Sequence, residues 1–485
     1  MTDSIPELVK DSQVYDDVAP RRVHWFRSTI FQIIIVGGVF FCAPGMYNAL
    51  SSLGAGGLAT PWYANATAAA GYVFMAVLCI IGGIIVSKIG VRASLLISST
   101  GDIIYAGSLY LNSKNGTQWF LILGSIVSGM TDGLMYAVEG PIITSYPEPD
   151  RRGRMLALWV FMRNAAPVIG GAIIFALNSK TDSSGGVSLQ TYLVIIGIMC
   201  AGPFIALLLS HPAKVQRKDG VPIVFRKTGW AQTLQEWWNV VTSRNILLLC
   251  PLFFTSWFYG SYIGTLQTQY FNVRTRALCA FAIPWGDILG GFMIGYFLDN
   301  KRLSVKQRAR MSFIGLMVLN LALWYAGRIQ ALILSSYILM RVWTAVVTKQ
   351  LEDAKPVIDW TSPEFGRTFT LFLLFDLATM ATQTSLFWII SHMSNDFIVL
   401  SYMTGTLRGV ECAGQAVAYG IKSSDTTDWL SIGLNVGLIV FSLPFAWIVI
   451  RKIGVSKFEE INLGLGNAEK ESDVQSENEK EQTYA

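Results

Sequence analysis

The sequence predicts an all-α membrane protein with twelve transmembrane helices in two pseudo-symmetric six-helix halves. Hydrophobic residues make up 52% of the 485 residues, charged residues only 14%, and the mean hydropathy is +0.45, whereas a soluble domain carries about 25% charged residues. Apolar runs of about 20 residues recur, each long enough to cross a bilayer. Asp132 with Glu139 is repeated as Asp376 with Gln383, each pair seven residues apart inside such a run. This repeat indicates a duplicated half.

Apolar runs between polar breaks define the spans in chain order. The first six are predicted near 28–50, 65–87, 93–112, 118–145, 155–178 and 189–210. The second six are predicted near 245–270, 276–299, 311–328, 366–391, 397–421 and 428–450. The six-helix halves therefore cover 28–210 and 245–452, with a linker at 211–244 between them.

The linker carries an apolar pattern at helical spacing. Trp230, Leu234, Trp237, Trp238 and Val241 recur within it, which is typical of an amphipathic helix lying at a membrane interface. The alternative is an irregular linker with scattered tryptophans.

Basic residues set the topology. They concentrate in the loop at 88–92, the loop at 151–154, the linker, the loop at 301–310, and at Arg451 and Lys452. The positive-inside rule places these segments and both termini in the cytoplasm. Residues 1–27 form a cytoplasmic tail, and the acidic, polar segment 453–485 is predicted to be a disordered cytoplasmic tail.

The second half is longer than the first by roughly 33 residues when the polar register points are aligned, and the excess falls in 331–363. The sequence favours a loop insertion there. The alternative is an error in the gene model, such as a retained intron, which sequencing the transcript tests.

Two glycosylation sequons fall on the predicted outer side. They begin at Asn65 and Asn115. Asn65 lies close to the start of the second span and Asn115 lies in a short loop, so both are weak acceptors for an N-linked glycan.

Several motifs together resemble one family. They are SYPEPDRRGR from Ser145, RNAAPVIGGAI from Arg163, YFNVRTRAL from Tyr270, GYFLD from Gly295 and DWTSPEFGR from Asp359. With these motifs the chain resembles the major facilitator superfamily, and within it the fungal UNC93-like proteins, over about residues 25–452. The resemblance implies the major facilitator fold, with spans 1, 4, 7 and 10 lining a central cavity.

The resemblance also implies gating loops on the cytoplasmic side, which latch the two halves. Gly83, Gly90 and Arg92 match the loop after span two, and Asp299 matches the acid of the corresponding loop in the second half. Ser87 stands where the first-half loop usually carries an acid, so the latch of the first half is in doubt.

Polar groups inside the spans are the candidate pathway residues. An ionised group at the bilayer centre costs about 2.5–3.5 kcal/mol on insertion scales, so it faces the protein interior and is a functional candidate. The candidates for the substrate and proton pathway are Tyr47, Asn48, Asp132, Tyr136, Glu139, Arg163, Asp376, Gln383, Arg408 and Glu411. Asp102 and Asp287 are also intramembrane but less central in their spans.

The pattern predicts a secondary active transporter of a small organic solute that works by alternating access. Glu139 or Asp132 is expected to take up a proton as the substrate binds, which couples transport to the proton gradient. The alternative for Glu139 is a structural ion pair with Arg163. The alternative for the whole chain comes from animal UNC93-like relatives: a non-transporting regulator or trafficking partner of another membrane protein.

Other function classes find no support in the sequence. We expect no catalytic residues, no cofactor and no metal site, since His24, His211 and His392 are scattered and the cysteines have no CxxC spacing. The net charge of +5 lies in the loops and is better explained by topology than by nucleic-acid binding. The expected location is the plasma membrane or the vacuolar membrane, as an integral multi-pass protein.

Overall fold

The chain folds into helices joined by short connections. A computed structural model describes residues 23–51, 61–148, 151–178, 188–217, 219, 229–325, 343–354, 357–394, 396–424 and 426–455. The helices are α1 (Thr29–Phe40), α2 (Met46–Ser51), α3 (Pro61–Ile89), α4 (Val91–Ser98), α5 (Gly101–Asn115), α6 (Gln118–Ser145), α7 (Arg152–Asn178), α8 (Leu189–Met199), α9 (Gly202–Ala206), α10 (Trp230–Val241), α11 (Arg244–Thr255), α12 (Gly260–Tyr270), α13 (Val273–Ala282), α14 (Pro284–Leu298), α15 (Val305–Tyr325), α16 (Trp343–Ala354), α17 (Phe365–Ile390), α18 (Phe397–Lys422) and α19 (Asp428–Ile450). The predicted all-α class is confirmed.

Most of the predicted spans coincide with apolar helical segments. Within the described ranges, nine are long and apolar enough to cross a membrane. The predicted spans at 93–112, 311–328 and 397–421 coincide with α4–α5, α15 and α18, which are shorter, broken or richer in charge. The total of twelve spans stays a prediction.

Prolines break several of these helices beside the centre of the molecule. Pro44 lies in a π-helical turn, Phe41–Gly45, between α1 and α2. Proline cannot donate the backbone hydrogen bond of a regular helix, so it displaces the turn around it. Pro284 likewise begins α14 directly after α13 ends. The first and eighth predicted spans are therefore bent.

The two halves meet along two seams. In the first seam α3 packs along α18, and in the second α7 packs along α13 and α14. Small residues allow the close approach in the second seam, because a Cβ on Gly295 would lie 2.6 Å from the carbonyl oxygen of Gly153. Such backbone contact between membrane helices needs glycine on both sides.

The linker contains a helix at the predicted place. Helix α10 packs against the ends of α3, α11 and α18, and the Trp237 indole donates to the Ile80 carbonyl at 2.9 Å. Trp230, Leu234 and Trp238 are exposed along its outer face. The location of this apolar face at a membrane interface stays a prediction.

The described part of 331–363 is integrated with its neighbours. Helix α16 contacts α15, α17 and α19, and Thr348 shares a hydrogen bond of 2.5 Å with Tyr262. The segment therefore includes a packed helix rather than only a loop. Residues 1–22 and 456–485, which hold most of the two predicted tails, lie outside the described residues.

An ion pair joins the connection before α17 to the start of α13. Arg274 donates two hydrogen bonds of 2.7 Å to the Asp359 carboxylate, and Asn272 donates a third at 3.0 Å. These contacts, Arg274 foremost, hold the pKa of Asp359 well below its usual range. The ion pair thereby holds the connection before α17 against the helix bundle.

Asp359→Asn is expected to lower the melting temperature at pH 7 and at pH 5 alike. A carboxylate with a depressed folded-state pKa stabilises the protein above the unfolded-state value of about 3.9, and this stabilisation is lost as the pH falls toward the folded-state value. Melting curves of the wild type and the variant in detergent from pH 7 to pH 3 measure it. A difference that already vanishes between pH 7 and pH 5 would contradict the assignment.

Candidate functional site

A cavity of about 190 Å³ lies between the two halves. Helices from both halves line it, with α6 and α7 facing α14, α17 and α18. Of the predicted pathway residues, those that line it are Tyr47, Asn48, Asp132, Tyr136, Arg163, Asp376 and Arg408. Glu139, Gln383 and Glu411 are buried beside the cavity, toward the end of the bundle that carries the basic loops. The volume is below the 300–1,000 Å³ of typical drug-sized pockets, so it fits a small solute.

Two carboxyl groups face each other on the first-half side. Asp132 lines the cavity and is only 5% exposed. Its carboxyl group lies within hydrogen-bonding reach of Asp102 in α5, and Ser128 donates to Asp102 at 2.6 Å. In the described part of the chain neither acid has an ion-pair partner. Two ionised carboxylates at such positions repel each other, so a proton shared between them would stabilise the pair.

A second pair of acids lies on the second-half side. Asp287 in α14 and Asp376 in α17 both line the cavity and interact electrostatically. The Tyr259 hydroxyl donates to Asp376, whereas one oxygen of Asp287 has no hydrogen-bond partner. The sequence analysis ranked Asp287 behind the other acids because it is less central in its predicted span. The break at Pro284 brings it to the cavity wall.

A buried polar layer lies next to the cavity and joins the halves. Arg163 donates to Gln383 at 3.2 Å and to the Tyr136 hydroxyl at 3.3 Å. Gln383 donates in turn to Glu411 at 3.0 Å, and Arg408 forms an ion pair with Glu411 at 2.5 Å. Arg163 thus donates a hydrogen bond across the interface between the halves to Gln383, the residue that corresponds to Glu139 in the repeat.

Glu139 is enclosed rather than paired. The Trp159 indole donates to one of its carboxyl oxygens, and the other oxygen has no hydrogen-bond partner. No ion pair joins it to Arg163 among the contacts of the described residues. The alternative of a structural Glu139–Arg163 pair is therefore not realised in this conformation.

Aromatic rings form much of the cavity wall. Tyr72 and Tyr419, which sequence reasoning missed, stack across the first seam with centroids 5.3 Å apart. Trp257 stacks on Tyr259 at 6.1 Å. The Arg408 guanidinium lies 4.0 Å from the centroid of the Tyr136 ring. Tyrosine hydroxyls inside otherwise apolar spans are the sequence signal that could have identified Tyr72 and Tyr419.

The two ends of the cavity are built differently. At the basic-loop end, Tyr146 packs on Phe397 and Trp159 on Phe387, with centroids 6.2 Å and 5.6 Å apart. At the opposite end, the Asn65 amide donates to the Lys422 carbonyl at 3.0 Å and to Thr265 at 3.2 Å. Ring packing therefore closes the basic-loop end, and hydrogen bonds join the halves at the opposite end.

The gating-loop residues divide into a local group and a latch. Gly90 begins α4 with a φ of +88°, a conformation that favours glycine, and Arg92 donates to the Leu207 carbonyl within its own half. Gly83 packs on Tyr402 across the first seam. Asp299 alone of this group bonds across the interface, since it accepts from the backbone amides of Gly153 at 2.8 Å and Arg154 at 2.7 Å.

Helix α18, which occupies in the second half the place of α7 in the first, is capped differently. Asp299 caps the first turn of α7 from the opposite half, whereas Asp396 caps the first turn of its own helix, α18, accepting from Ile398 at 2.7 Å. Ser87, which stands where the first-half acid is usual, donates to the Ile84 carbonyl of its own helix. Only the second seam therefore has a carboxylate cap that crosses between halves in the described chain.

The sequon asparagines differ in access. Asn65 is 6% exposed and its amide is engaged in the contacts described above, whereas Asn115 is exposed at the end of α5. We expect Asn65→Gln to leave the electrophoretic mobility of the protein from a glycosylating host unchanged. A mobility shift that disappears in Asn65→Gln but persists in Asn115→Gln would contradict this.

Comparisons with known proteins agree on one family. A family model described as "Ion channel regulatory protein UNC-93" matches residues 62–326. "Notoamide biosynthesis cluster protein O'" of Aspergillus versicolor is 35% identical over 442 residues, covering 90% of this chain and 92% of that protein. "UNC93-like protein 1" of Arabidopsis thaliana is 30% identical over 439 residues, covering 88% and 91%.

Solved structures agree on the fold. The proton:xylose symporter XylE of the major facilitator superfamily, from E. coli, superposes with a TM-score of 0.57 at 13% identity, covering 89% of this chain and 98% of that one. The human organic anion transporter MFSD10 superposes with a TM-score of 0.57 at 11% identity, covering 86% and 99%. At such identities the likeness shows the fold alone.

Proposed function

This chain belongs to the UNC-93 family and has the major facilitator fold, and from that premise we propose that it is a secondary active transporter of a small organic solute. Its two halves would expose the central cavity to each side of the membrane in turn. The basic-loop end, which is closed in the conformation described above, and the opposite end would open alternately.

One observation carries the proposal: the cavity holds buried carboxyl groups that lack ion-pair partners among the described residues. Asp132, Asp287 and Asp376 all line it. An unpaired buried carboxylate is costly, so such a group exchanges a proton or meets a cation whenever the cavity opens to water. A merely structural core gains nothing from keeping them.

We assign the proton site to Asp132 with Asp102. Only Asp132 of this pair lines the cavity, so it exchanges protons with the solution, while Asp102 and its Ser128 donor lie behind it. Glu139, the other candidate from sequence, is fully buried and does not line the cavity. Its role is to hold Trp159 in the layer that closes the basic-loop end.

The relatives support a small organic solute. The Aspergillus relative is named after a biosynthetic gene cluster, which favours a metabolite as its cargo. XylE and MFSD10 are described as transporters of a sugar and of organic anions. Plasma membrane and vacuolar membrane remain the two candidate locations.

Uptake by purified protein in proteoliposomes tests the proposal. Radiolabelled xylose, benzoate and tyramine, one probe for each charge class, are offered with an imposed pH gradient of either polarity and without one. We expect protein-dependent uptake of one probe class that increases with the gradient. No protein-dependent uptake of any class, from protein that is folded by size-exclusion chromatography, would reject the transporter.

The description of the family favours one other function, the regulation or escort of an ion channel. In that case the acids of the cavity would be dispensable. Affinity purification from native membranes of cells expressing wild type or Asp132→Asn/Asp376→Asn separates the two. A stoichiometric membrane-protein partner retained equally by both, together with no uptake, would favour the regulator.

A further inference from the structure

The charged groups that line the cavity do not balance. Asp132, Asp287 and Asp376 face two guanidiniums, Arg163 and Arg408. Glu411 already neutralises Arg408 through the ion pair at 2.5 Å. Of the lining residues that the structure describes, three carboxyls therefore face a single guanidinium that has no ion pair. Even with one proton shared between Asp132 and Asp102, the ionised forms of Asp287 and Asp376 leave a surplus of negative charge that a positive ligand would offset.

The two acid pairs differ in how many of their carboxyl groups line the cavity. Asp102 lies behind the wall and shares its site with Asp132, which suits a proton. On the other side both Asp287 and Asp376 line the cavity. Asp287 is 8% exposed and one of its oxygens has no hydrogen-bond partner. A carboxyl group that lines a cavity and has no ion-pair partner is the natural contact for an ammonium group.

Aromatic rings surround the same acids. Trp257 and Tyr259 stack beside Asp376, and the Tyr72–Tyr419 pair closes another part of the wall. The Trp257 indole nitrogen has no hydrogen-bond partner. Ring faces attract cations, and Tyr136 already carries the Arg408 guanidinium at 4.0 Å. An inorganic cation prefers a cage of oxygens, so these rings favour a cation with an apolar body.

From the unpaired Asp287, Asp376 and the adjacent rings we infer that the solute is an organic cation, an amine with an aromatic or apolar body. Its ammonium group binds between Asp287 and Asp376, and its body packs against Trp257 and Tyr259. This inference rests on the proposed transporter and names its class of substrate. It also assigns the two ligands to different halves: the proton binds in the first half and the organic cation in the second.

Calorimetric titration of the purified protein in detergent at pH 7 tests the inference. The probes are phenethylamine, its neutral analogue 2-phenylethanol, its anionic analogue 3-phenylpropionate, and KCl. Because the two carboxylates and the desolvated ring faces all favour a cation, we expect the amine to bind at least about tenfold more tightly than either analogue. Equal or tighter binding of the alcohol or the acid, binding of K⁺ alone, or binding of no probe would overturn it.

Variants locate the site. Asp287→Asn and Asp376→Asn should each weaken amine binding by about tenfold or more and leave binding of 2-phenylethanol unchanged. Glu364→Gln is the matched control, since Glu364 is an exposed acid at the start of the same helix as Asp376. Unchanged amine affinity in both aspartate variants would overturn the location. If either variant misfolds, the titration of the wild-type protein with the amine, the alcohol and the acid still tests whether the site prefers a cation.

The binding assay and the uptake assay together separate this inference from the proposed function. Amine binding without amine uptake into proteoliposomes would reject the transporter and leave the cation site standing. Uptake of benzoate or xylose without amine binding would support the transporter and reject the cation site.

Discussion

Asp132→Asn is expected to abolish accumulation driven by a pH gradient while leaving exchange of solute across the membrane. The amide has nearly the shape of the carboxyl group but cannot take up and release a proton. One pH unit is worth about 1.4 kcal/mol per proton, which sustains about tenfold accumulation. Proteoliposomes loaded with unlabelled probe measure exchange, and empty ones with a pH gradient measure accumulation. The wild type should approach tenfold and the variant should equalise the two sides.

Glu139→Gln is the informative companion. Glu139 lies two helical turns from Asp132 on the same helix but is closed off from the cavity. Its variant should keep gradient-driven accumulation, with a slower rate because the Trp159 indole keeps only a weaker, neutral hydrogen bond. If accumulation fails in Glu139→Gln and survives in Asp132→Asn, the proton site is Glu139 and our assignment is wrong.

Asp299→Ala is expected to open the basic-loop end of the bundle. The variant loses two hydrogen bonds from backbone amides to a carboxylate, each worth about 1.5–3 kcal/mol. A loss of about 3 kcal/mol shifts the population of open molecules by on the order of a hundredfold. A cysteine placed at Tyr146, which is fully buried at the closed basic-loop end, should then react with a maleimide much faster.

Arg154→Gln is the control for this latch. The Arg154 side chain lies 3.9 Å from Asp299 and is 63% exposed, so its ion pair contributes little. The substitution preserves the Arg154 backbone amide, which donates the hydrogen bond to Asp299 that caps α7. An equally large increase in labelling in Arg154→Gln would show that the side-chain charge, not the helix cap, holds the end closed.

Helical periodicity predicted which polar groups share a helix face, but it could not predict their depth. Asp132 and Glu139 lie seven residues apart on α6, and the structure brings one to the cavity and encloses the other. That difference depends on where α7 places Trp159, a contact between helices that no local pattern encodes. Asp287 was undervalued for a similar reason, because its access depends on the proline break that begins α14.

The sequence also could not predict which polar and charged groups contact each other across the two halves. The repeat matched Arg163 with Arg408 and Glu139 with Gln383, but a repeat gives equivalence, not contact. In the structure Arg163 reaches Gln383 in the other half, and Arg408 turns to Glu411 three residues along its own helix. A position equivalent to Glu411 in the first half is Ala166. The missing acid leaves Arg163 to bridge the halves.

We expect the unequal capping of α7 and α18 to give the two seams a preferred order of separation. At the basic-loop end, α18 contacts the first half through Phe397 on Tyr146 and Tyr402 on Gly83. A neutral hydrogen bond from Ser401 to the Ala137 carbonyl joins them, and none of these contacts involves a carboxylate. The seam between α7 and α14 adds the carboxylate cap of Asp299 to its packing. We therefore expect the α3–α18 side to separate first at the basic-loop end while the α7–α14 side holds, rather than both sides parting together.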